Sequence, residues 1–418
     1  MEHMIDERYL DCVSFQYKTE NSNIDNKSEE ETRYEEAIRY EEAIKEEEAI
    51  KEEEAIRYEL ETRYGYSRLG RLTSEEVKER QLKEICGTTN ISDRIFANLE
   101  KYKHEEYQYL NLIENILENG VWEEGRNGKT KSIFGESMRF SLSNGKIPIL
   151  TTKKTAWKTC LKELLWFIRG ETDNKILKEQ GVHIWDANGS REFLDSRGLT
   201  DYEVDELGPI YGRQWRNFNG TYITQKNEKN LKKTSDMLSL VNPDEPTICE
   251  TLKQTRKKGV DQLQQIIDSL KDPKQRNSRR LIMTAWNPCQ LDDMALPPCH
   301  ILCQFNVHNG NQLSCSMYQR SCDVALGKSF NIASYSFLTH LLANHCGLEA
   351  YELVYFIGNE HLYEEHIEPM KEILNREPFE FPTVSIKQIR ENIDDYQVED
   401  FELHNYKSHE TIKMKMVA

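Results

Sequence analysis

The 418-residue chain has few cysteines for its length, and none of them forms a CxxC pair. Ten cysteines are too dilute for a disulfide scaffold, so free thiols in a reducing compartment are the simplest interpretation. The chain also lacks a run of about 18 apolar residues that could cross a bilayer. Its first residues, MEHMIDERYL, have no basic head followed by an apolar stretch, unlike a secretory signal. These absences predict a soluble, cytoplasmic protein.

Net positive charge is also lacking, because 72 Asp and Glu outnumber 55 Lys and Arg and the net charge is −17. Binding nucleic acid or an anionic membrane in general requires a basic face, so we expect neither partner. More than half of the net negative charge, roughly −10, lies in the first 104 residues. The rest of the chain can therefore still build a local phosphate site from a few arginines.

Apolar residues are sparse before about residue 105 and common after it. We therefore predict an N-terminal extension over 1–104 and one folded domain over 105–418. The extension contains a six-residue repeat over 35–58, EEAIRY and EEAIKE, whose isoleucines do not share a helix face. A solvated helix or a low-complexity tail is favoured over a partner-binding arm. Residues 219–258, rich in Lys, Asn and Thr, are predicted to be a surface insertion.

Hydrophobic periodicity places helices and strands throughout the folded domain. Helices are predicted over about 73–85, 105–118, 157–168 and 332–347. Strands are predicted over 280–286, 301–307, 312–318 and 351–357. Because the two types mix without strict βαβ alternation, the expected fold class is α+β.

Nine short segments, in order along the chain, carry a resemblance to a known family. They read SIFGESMRF, KELLWFIRGETD, IWDANGSREFLD, GPIYGRQWR, SRRLIMTAWNP, ALPPCH, YQRSCD, FNIASY and HLY. From about residue 107 to 418 the chain is thereby similar to the thymidylate synthases. The resemblance implies a single α+β domain that forms a homodimer through a mixed β-sheet. It also implies methylation of dUMP to dTMP, with 5,10-methylenetetrahydrofolate donating both carbon and hydride.

The folate co-substrate makes a metal, flavin or nicotinamide unnecessary, and the chain has no glycine-rich dinucleotide fingerprint. Methylating carbon 5 of uracil requires a temporary nucleophile at carbon 6. A thiolate suits that step because it attacks well and leaves reversibly. Cys299, after Pro297 and Pro298, is the predicted nucleophile. By resemblance, Arg320 raises its thiolate fraction.

The phosphate of dUMP requires convergent guanidinium groups. By resemblance these come from four arginines with one hydroxyl beside them, namely Arg126, Arg279, Arg280, Arg320 and Ser321. The adjacent pair Arg279 and Arg280 is expected to reach into the site of a second subunit. Without the family context, an Arg-Arg pair is more often an exposed or salt-bridged edge.

The base and the sugar have their own predicted contacts. Asn331 matches an amide that distinguishes uracil from cytosine, although an asparagine there is also a good helix cap. His361 and Tyr363 match the pair that binds the sugar 3′-hydroxyl. Asn359 stands where the family usually has Asp.

Acid–base chemistry is assigned to two residues of the nucleotide site. Glu163 is a lone carboxylate on an apolar helix face, which is costly unless it is hydrogen-bonded or functional. By resemblance, it organises waters that protonate the uracil carbonyl. Tyr211 matches the tyrosine near the proton that leaves carbon 5, although its type alone fits a core aromatic equally well.

The folate requires an apolar slot with a few polar anchors. Asp323 matches the residue that hydrogen-bonds the pterin, and it is also expected among the catalytic and nucleotide-binding residues. The C-terminal tail, TIKMKMVA, resembles a segment that closes over the ligands and excludes water. The predicted folate residues are Ile184, Trp185, Asn188, Asp323, Leu326, Gly327, Phe330 and Ala418.

Three alternatives remain. A nucleotide hydroxymethylase has the same fold, but Trp185 and the tail argue against it. A catalytically inactive homologue that binds RNA is disfavoured because Cys299, Glu163, Asn331 and Asp323 are all retained. A fused reductase is disfavoured because the first 104 residues are too short, too charged and too repetitive.

Overall fold

The computed structural model describes residues 104–125, 128–239 and 257–416, with no side chains described for 235–239. Its helices are α1 (Tyr107–Asn119), α2 (Trp157–Ile168), α3 (Asn174–Glu179), α4 (Arg191–Ser196), α5 (Tyr211–Asn217), α6 (Gln225–Ser239), α7 (Gln262–Lys271), α8 (Gly327–His345) and α9 (Ile367–Leu374). Its strands are β1 (Val121–Gly125), β2 (Gly128–Ser141), β3 (Ile282–Thr284), β4 (His300–His308), β5 (Gln312–Asp323), β6 (Glu349–Tyr363), β7 (Thr383–Ile386) and β8 (Phe401–His404). The described fold is therefore α+β.

Six strands form one mixed sheet in the order β1-β2-β6-β5-β4-β3. All neighbours are antiparallel except β5 and β6, which are parallel. A parallel pair requires a crossover connection, and α8 provides it. Most side chains of α8 are buried, as expected for a helix that is apolar on all sides. The strands β7 and β8 form a separate two-stranded sheet.

One face of the large sheet leaves a row of apolar side chains exposed. Leu302 on β4 pairs with Tyr318 on β5, which pairs in turn with Phe356 on β6. Their exposed fractions are 37%, 37% and 44%. Because directly paired residues point to the same face, the three side chains form one continuous patch. Such a patch is typical of an interaction surface.

The first helix is tied to the loop before α2 by a buried carboxylate. Glu106, just before α1, is fully buried. It accepts hydrogen bonds from the backbone N–H groups of Thr151 and Thr152 at 2.9 and 2.8 Å, and from both threonine hydroxyls at 2.7 Å. A buried charge is tolerated only with such complete hydrogen bonding.

Several predicted elements are confirmed, and others are longer than expected. Helix α2 has the predicted bounds, and α1 begins and ends within two residues of the expected positions. Strands β5 and β6 extend five and six residues past their predicted ends, into polar residues that the sequence predicts for the site. Helix α8 begins five residues early, at Gly327. The strand predicted over 280–286 is shorter than expected, because only β3 (Ile282–Thr284) forms there. The sequence did not predict β1, β2, β7 or β8, nor the helices α3 to α7 and α9.

Other predictions fall partly or wholly outside the described residues. The helix expected over 73–85 and the repeat over 35–58 lie there, as does the middle of the 219–258 insertion. The described start of that insertion forms α6, and its residues 226–230 are exposed. Within the described ranges, no helix is long and apolar enough to span a membrane.

We predict that Glu106→Gln lowers the free energy of unfolding by about 2–3 kcal/mol. The NH₂ group of the glutamine would face N–H and hydroxyl groups that themselves donate, so some of these hydrogen bonds would be lost. Urea unfolding followed by circular dichroism measures the effect. The matched control is Glu114→Gln on the exposed side of α1, which should change stability by less than about 0.5 kcal/mol. Equal effects of the two substitutions would contradict the role given to Glu106.

Candidate active site

Cys299 lies immediately before β4 and is held by the adjacent strand β5. The backbone N–H of Arg320 donates to the carbonyl of Cys299 at 2.9 Å. The Arg320 guanidinium donates to the carbonyls of Pro298 and Pro297, at 2.9 and 3.1 Å. Main chain and side chain of one arginine thus fix the segment that carries the thiol, and Cys299 itself is partly accessible.

Burial and charge act on the thiol in opposite directions. Burial raises the pKa of Cys299 above its ordinary value, while Arg320 and a hydrogen bond with Tyr211 lower it. Burial dominates, so the net pKa is raised. The sequence-based expectation that Arg320 favours the thiolate has the right sign, but in this structure it only offsets part of the desolvation.

Tyr211 lies between Cys299 and helix α2. Its hydroxyl oxygen accepts a hydrogen bond from the backbone N–H of Cys299 at 2.8 Å, and its ring stacks on Phe167 at 4.8 Å. The next residue must be glycine, because a Cβ on Gly212 would lie 2.1 Å from the Phe167 carbonyl oxygen. Burial raises the pKa of the Tyr211 hydroxyl, so this residue stays protonated.

Glu163 is the buried acid of the site. Its carboxylate accepts a hydrogen bond from the indole Nε1–H of Trp185 at 2.8 Å. Burial raises the pKa of Glu163 to about 7, although the Trp185 hydrogen bond lowers it. A carboxyl group with this pKa can both give and take a proton near neutral pH. Trp185 in turn packs edge-on against Tyr211, at 6.0 Å between ring centroids.

Asn331, in the first turns of α8, is oriented by the neighbouring strand. Its Nδ2 donates to Oε1 of Gln319 at 3.0 Å, and the same Gln319 oxygen accepts from the Tyr355 hydroxyl. Burial lowers the pKa of the nearby His300 to about 4, although Asn331 raises it. The Asn331 amide is therefore oriented by the neutral side chain of Gln319.

Asp323 and His361 are direct neighbours at the ends of β5 and β6. The Oδ1 atom of Asp323 accepts from the backbone N–H groups of Ala325 and Leu326, at 2.9 and 3.4 Å. Gly358 permits this close strand pairing, because a Cβ there would lie 2.6 Å from the Arg320 carbonyl oxygen. The strand pairing thus assembles residues predicted for two different ligands.

His361 is oriented by Asn359, two residues before it. Its Nδ1 lies 2.9 Å from Oδ1 of Asn359. Since the amide oxygen only accepts, Nδ1 carries the hydrogen and Nε2 remains an acceptor. Burial lowers the pKa of His361, which also favours the neutral ring. The rings of His361 and Tyr363 pack edge-to-face at 5.4 Å, and Ser321 pairs with Asn359 across the strands.

The remaining predicted residues differ in where they lie. Leu326, Gly327 and Phe330 form the turn and first residues of α8 next to Asp323. Ile184 is half-buried against the core. Asn188 is half-buried in the turn before α4. Arg279 and Arg280 are exposed just before the edge strand β3.

Two predicted residues, Arg126 and Ala418, lie outside the described residues. Among the described ones, no group of three or more His, Cys, Asp or Glu side chains is arranged to hold a metal ion.

Sequence reasoning missed several residues that support the site. Gln319 holds Asn331, and Trp286 lies under the Arg320 guanidinium at 5.7 Å. Lys153 is buried and donates to the Ala325 carbonyl next to Asp323; burial lowers the pKa of Lys153 to about 8. His366 lies 4.0 Å from Asp323. Gln319 lies inside the segment YQRSCD, so its membership of that family motif could have identified it as a site residue.

A family model described as thymidylate synthase matches residues 107–418. The bifunctional dihydrofolate reductase-thymidylate synthase of Leishmania major is 46% identical over 317 residues, which cover 75% of this chain and 56% of that protein. The probable thymidylate synthase of Schizosaccharomyces pombe is 46% identical over 333 residues, covering 77% and 49%. The thymidylate synthase of Equine herpesvirus 2 is 46% identical over 316 residues, covering 75% and 99%. The chain thus spans about half the length of several curated relatives that it matches.

The raised pKa of Glu163 predicts a pH-dependent stability difference. In the unfolded chain Glu163 loses its proton near pH 4.5, whereas in the fold it does so near about pH 7. Stability therefore falls as pH rises between these values, and Glu163→Gln removes that loss. The free energy of unfolding of the variant, relative to that of wild type, should therefore be about 3 kcal/mol larger at about pH 8 than at about pH 4.

Urea unfolding at the two pH values measures this difference. The matched control is Glu179→Gln at an exposed position, whose effect should stay within about 0.5 kcal/mol at both. A Glu163→Gln effect that is the same at both pH values would show that Glu163 titrates normally.

Proposed function

The chain belongs to the thymidylate synthase family, and we propose that it converts dUMP to dTMP with 5,10-methylenetetrahydrofolate as donor of both carbon and hydride. The observation that carries this proposal is the arrangement around Cys299. One arginine, Arg320, holds the cysteine segment by three hydrogen bonds, and Tyr211 holds it from the opposite side. Hydrogen bonds that fix the backbone on both sides of a thiol hold the sulfur in one orientation, as attack on a bound ring requires. A cysteine that only fills space in the core does not need them.

The first chemical step is addition of the Cys299 thiolate to carbon 6 of the uracil ring. The new S–C bond takes the sulfur electron pair, and the ring double bond moves its electrons to carbon 5 and the carbonyl oxygen at carbon 4. Carbon 5 then attacks the methylene group of the folate, whose bond to one of its two folate nitrogens breaks while the bond to the other remains. The phosphate dianion of dUMP brings negative charge to Arg320, which then serves both the phosphate and the thiolate.

Proton transfers fall to Glu163 and the waters it orders. Its pKa of about 7 lets it protonate the carbonyl oxygen and later accept a proton. Tyr211 stays protonated because burial raises its pKa, so we assign it the positioning of a water that removes the proton from carbon 5. Loss of that proton breaks the bond to the folate nitrogen and leaves an exocyclic methylene group on carbon 5. Hydride from the folate then adds to this methylene, the double bond between carbons 5 and 6 re-forms, and the Cys299 thiolate leaves carbon 6, which gives dTMP and dihydrofolate.

Selection of uracil rests on the amide of Asn331. One hydrogen of Nδ2 is used by Gln319. The second can donate to the carbonyl at carbon 4, while Oδ1 accepts from ring N3–H. Cytosine would present the opposite donor and acceptor at these positions. For the sugar, Nε2 of His361 accepts from the 3′-hydroxyl, as its orientation by Asn359 allows.

We further propose that the active form is a homodimer built on the exposed face of the large sheet. The row of Leu302, Tyr318 and Phe356 would be buried there. Arg279 and Arg280 lie just before β3, the edge strand next to β4. From there they would reach the phosphate site of the second subunit. Each subunit would then complete the site of the other, and the enzyme would act in the cytoplasm on free dUMP and folate, with no metal, flavin or nicotinamide.

The first prediction of this proposal concerns the nucleophile. Purified protein should convert dUMP and methylenetetrahydrofolate to dTMP and dihydrofolate in equal amounts. Cys299→Ser should lower kcat by about 10³-fold or more, because an alcohol is a far weaker nucleophile near neutral pH. Absorbance of dihydrofolate and chromatography of the nucleotide measure both products.

The matched control is Cys289→Ser, which changes an exposed cysteine and should leave kcat unchanged. Turnover that survives Cys299→Ser would contradict the mechanism. A hydroxymethylated nucleotide as the main product would indicate hydroxymethylase activity instead.

The second prediction concerns the shared arginines. Cys299→Ala and the double variant Arg279→Ala/Arg280→Ala should each be inactive alone. After mixing under conditions that exchange subunits, half of the dimers should be heterodimers with one intact site, giving about one quarter of wild-type activity. If the arginines act within their own chain, no mixed dimer has an intact site and mixing recovers nothing.

A further inference from the structure

The C-terminal segment 405–416 is attached to the rest of the domain by hydrogen bonds that involve its backbone carbonyls and amides. The backbone N–H of His409 donates to the carbonyl of Thr151 at 2.8 Å. The guanidinium of Arg376 donates to the carbonyl of Glu410 at 2.8 Å and to that of Thr152 at 2.9 Å. The last of these attachments is a bond from Nε2 of His366 to the carbonyl of Lys415, at 2.8 Å.

His366 is a buried histidine whose two ring nitrogens face different partners. Its side chain is 1% exposed. Because the Lys415 carbonyl only accepts, Nε2 carries a hydrogen. The other nitrogen, Nδ1, has no hydrogen-bond partner among the described residues and lies 4.0 Å from Oδ1 of Asp323. A buried polar nitrogen without a partner calls for an explanation.

Asp323 is held on one side only. Its hydrogen bonds from the described residues, those of Ala325 and Leu326, both reach Oδ1. Oδ2 is therefore the oxygen left to accept a hydrogen bond from a ligand. Any group that fixes Oδ1 more firmly also fixes the direction in which Oδ2 points.

We propose that His366 is a positioning residue that couples closure of the C-terminal segment to the orientation of the Asp323 carboxylate. This inference rests on the proposed function, in which Asp323 binds the folate. When the segment presses on the bound ligand, the carbonyl of Lys415 shifts His366 toward Asp323. A shortening of about 1 Å brings Nδ1 within hydrogen-bond distance of Oδ1.

In the closed arrangement Nδ1 takes up a proton from solvent, and the negative charge of Asp323 balances it. His366 then donates through both nitrogens, to Lys415 and to Asp323. Oδ1 is then fully occupied, and Oδ2 is directed at the N–H groups of the pterin ring. The surrounding groups permit this arrangement, since Tyr363 packs edge-on against the His366 ring at 5.8 Å. The charge of Lys153 also acts on the Asp323 carboxylate, and its ammonium group donates to the Ala325 carbonyl.

Two variants separate the two functions of the ring. His366→Gln keeps a donor near the position of Nε2, and so retains the bond to Lys415, but it has no atom at the position of Nδ1. It should raise KM for the folate about tenfold, the equivalent of one hydrogen bond. KM for dUMP should stay within about twofold, and the C-terminal segment should remain attached.

His366→Asn has the opposite geometry. Its amide lies near the position of Nδ1 but is too short to reach the Lys415 carbonyl. The segment should detach, so trypsin should cleave after Lys413 and Lys415 about tenfold faster than in wild type, as measured by mass spectrometry. Its kcat should fall as water enters the site.

The matched control is His340→Gln. His340 is also buried, and its Nε2 lies 2.9 Å from the Lys146 carbonyl, but none of the proposed ligand contacts involves it. It should lower the unfolding midpoint without changing the folate KM or the trypsin cleavage rate. If both His366 variants behave like His340→Gln, His366 is purely structural and the proposal is overturned.

The trypsin readout does not depend on turnover. A wild-type protein that is inactive would overturn the proposed function, while its cleavage rate relative to His366→Asn would still test the attachment at Lys415. If wild type is active and the folate KM of His366→Gln is unchanged, the coupling to Asp323 is overturned while the proposed function stands.

Discussion

The parallel pairing of β5 with β6 is the constraint on which the rest of the molecule depends. Two parallel strands cannot be joined by a tight turn, so the chain must cross over through a helix, and that helix is buried because it lies against the sheet. The pairing aligns the ends of both strands and places the start of the crossover helix beside them. Asp323, His361 and Asn331 meet for this reason, although they are distant in the sequence.

The same arrangement sets the electrostatics of the site. Burial raises the pKa values of both Cys299 and Glu163, so the unliganded site favours neutral groups. Arg320 opposes this effect at the thiol, and the dianion of the substrate changes the balance again. In this account the ligands complete the site: the phosphate anchors the nucleotide at Arg320 so that its ring lies beside Cys299, and the folate with the C-terminal segment excludes water.

Much of the fold was predictable where the hydrophobic pattern is strong. Helix α2 is recognisable because its apolar run is long and its ends are polar. Strand β2 was missed because its sequence, GKTKSIFGESMRFS, has exposed and buried residues without regular alternation. The polar ends of β5 and β6 were missed because polar residues of the proposed site replace the apolar ones that mark a strand.

The site residues were predictable only as members of family motifs, and their supports were not. Nothing in local periodicity indicates that Gln319 holds Asn331, or that His366 faces Asp323. The buried ion pair of Lys328 with Glu360, 2.5 Å apart and fully buried, is a further example. Charged residues are rarely buried, so a pattern-based prediction places both on the surface. Such contacts depend on strand register, which cannot be deduced from local sequence patterns in this chain.

The most direct test of the account is to trap the covalent adduct. With 5-fluoro-dUMP, carbon 5 carries fluorine in place of the hydrogen that must leave, so the reaction should stop with nucleotide, folate and protein joined. Mass spectrometry of the digested protein should find the added mass of nucleotide plus folate on the peptide that contains Cys299. No adduct, or an adduct on another cysteine such as Cys289, would contradict the account.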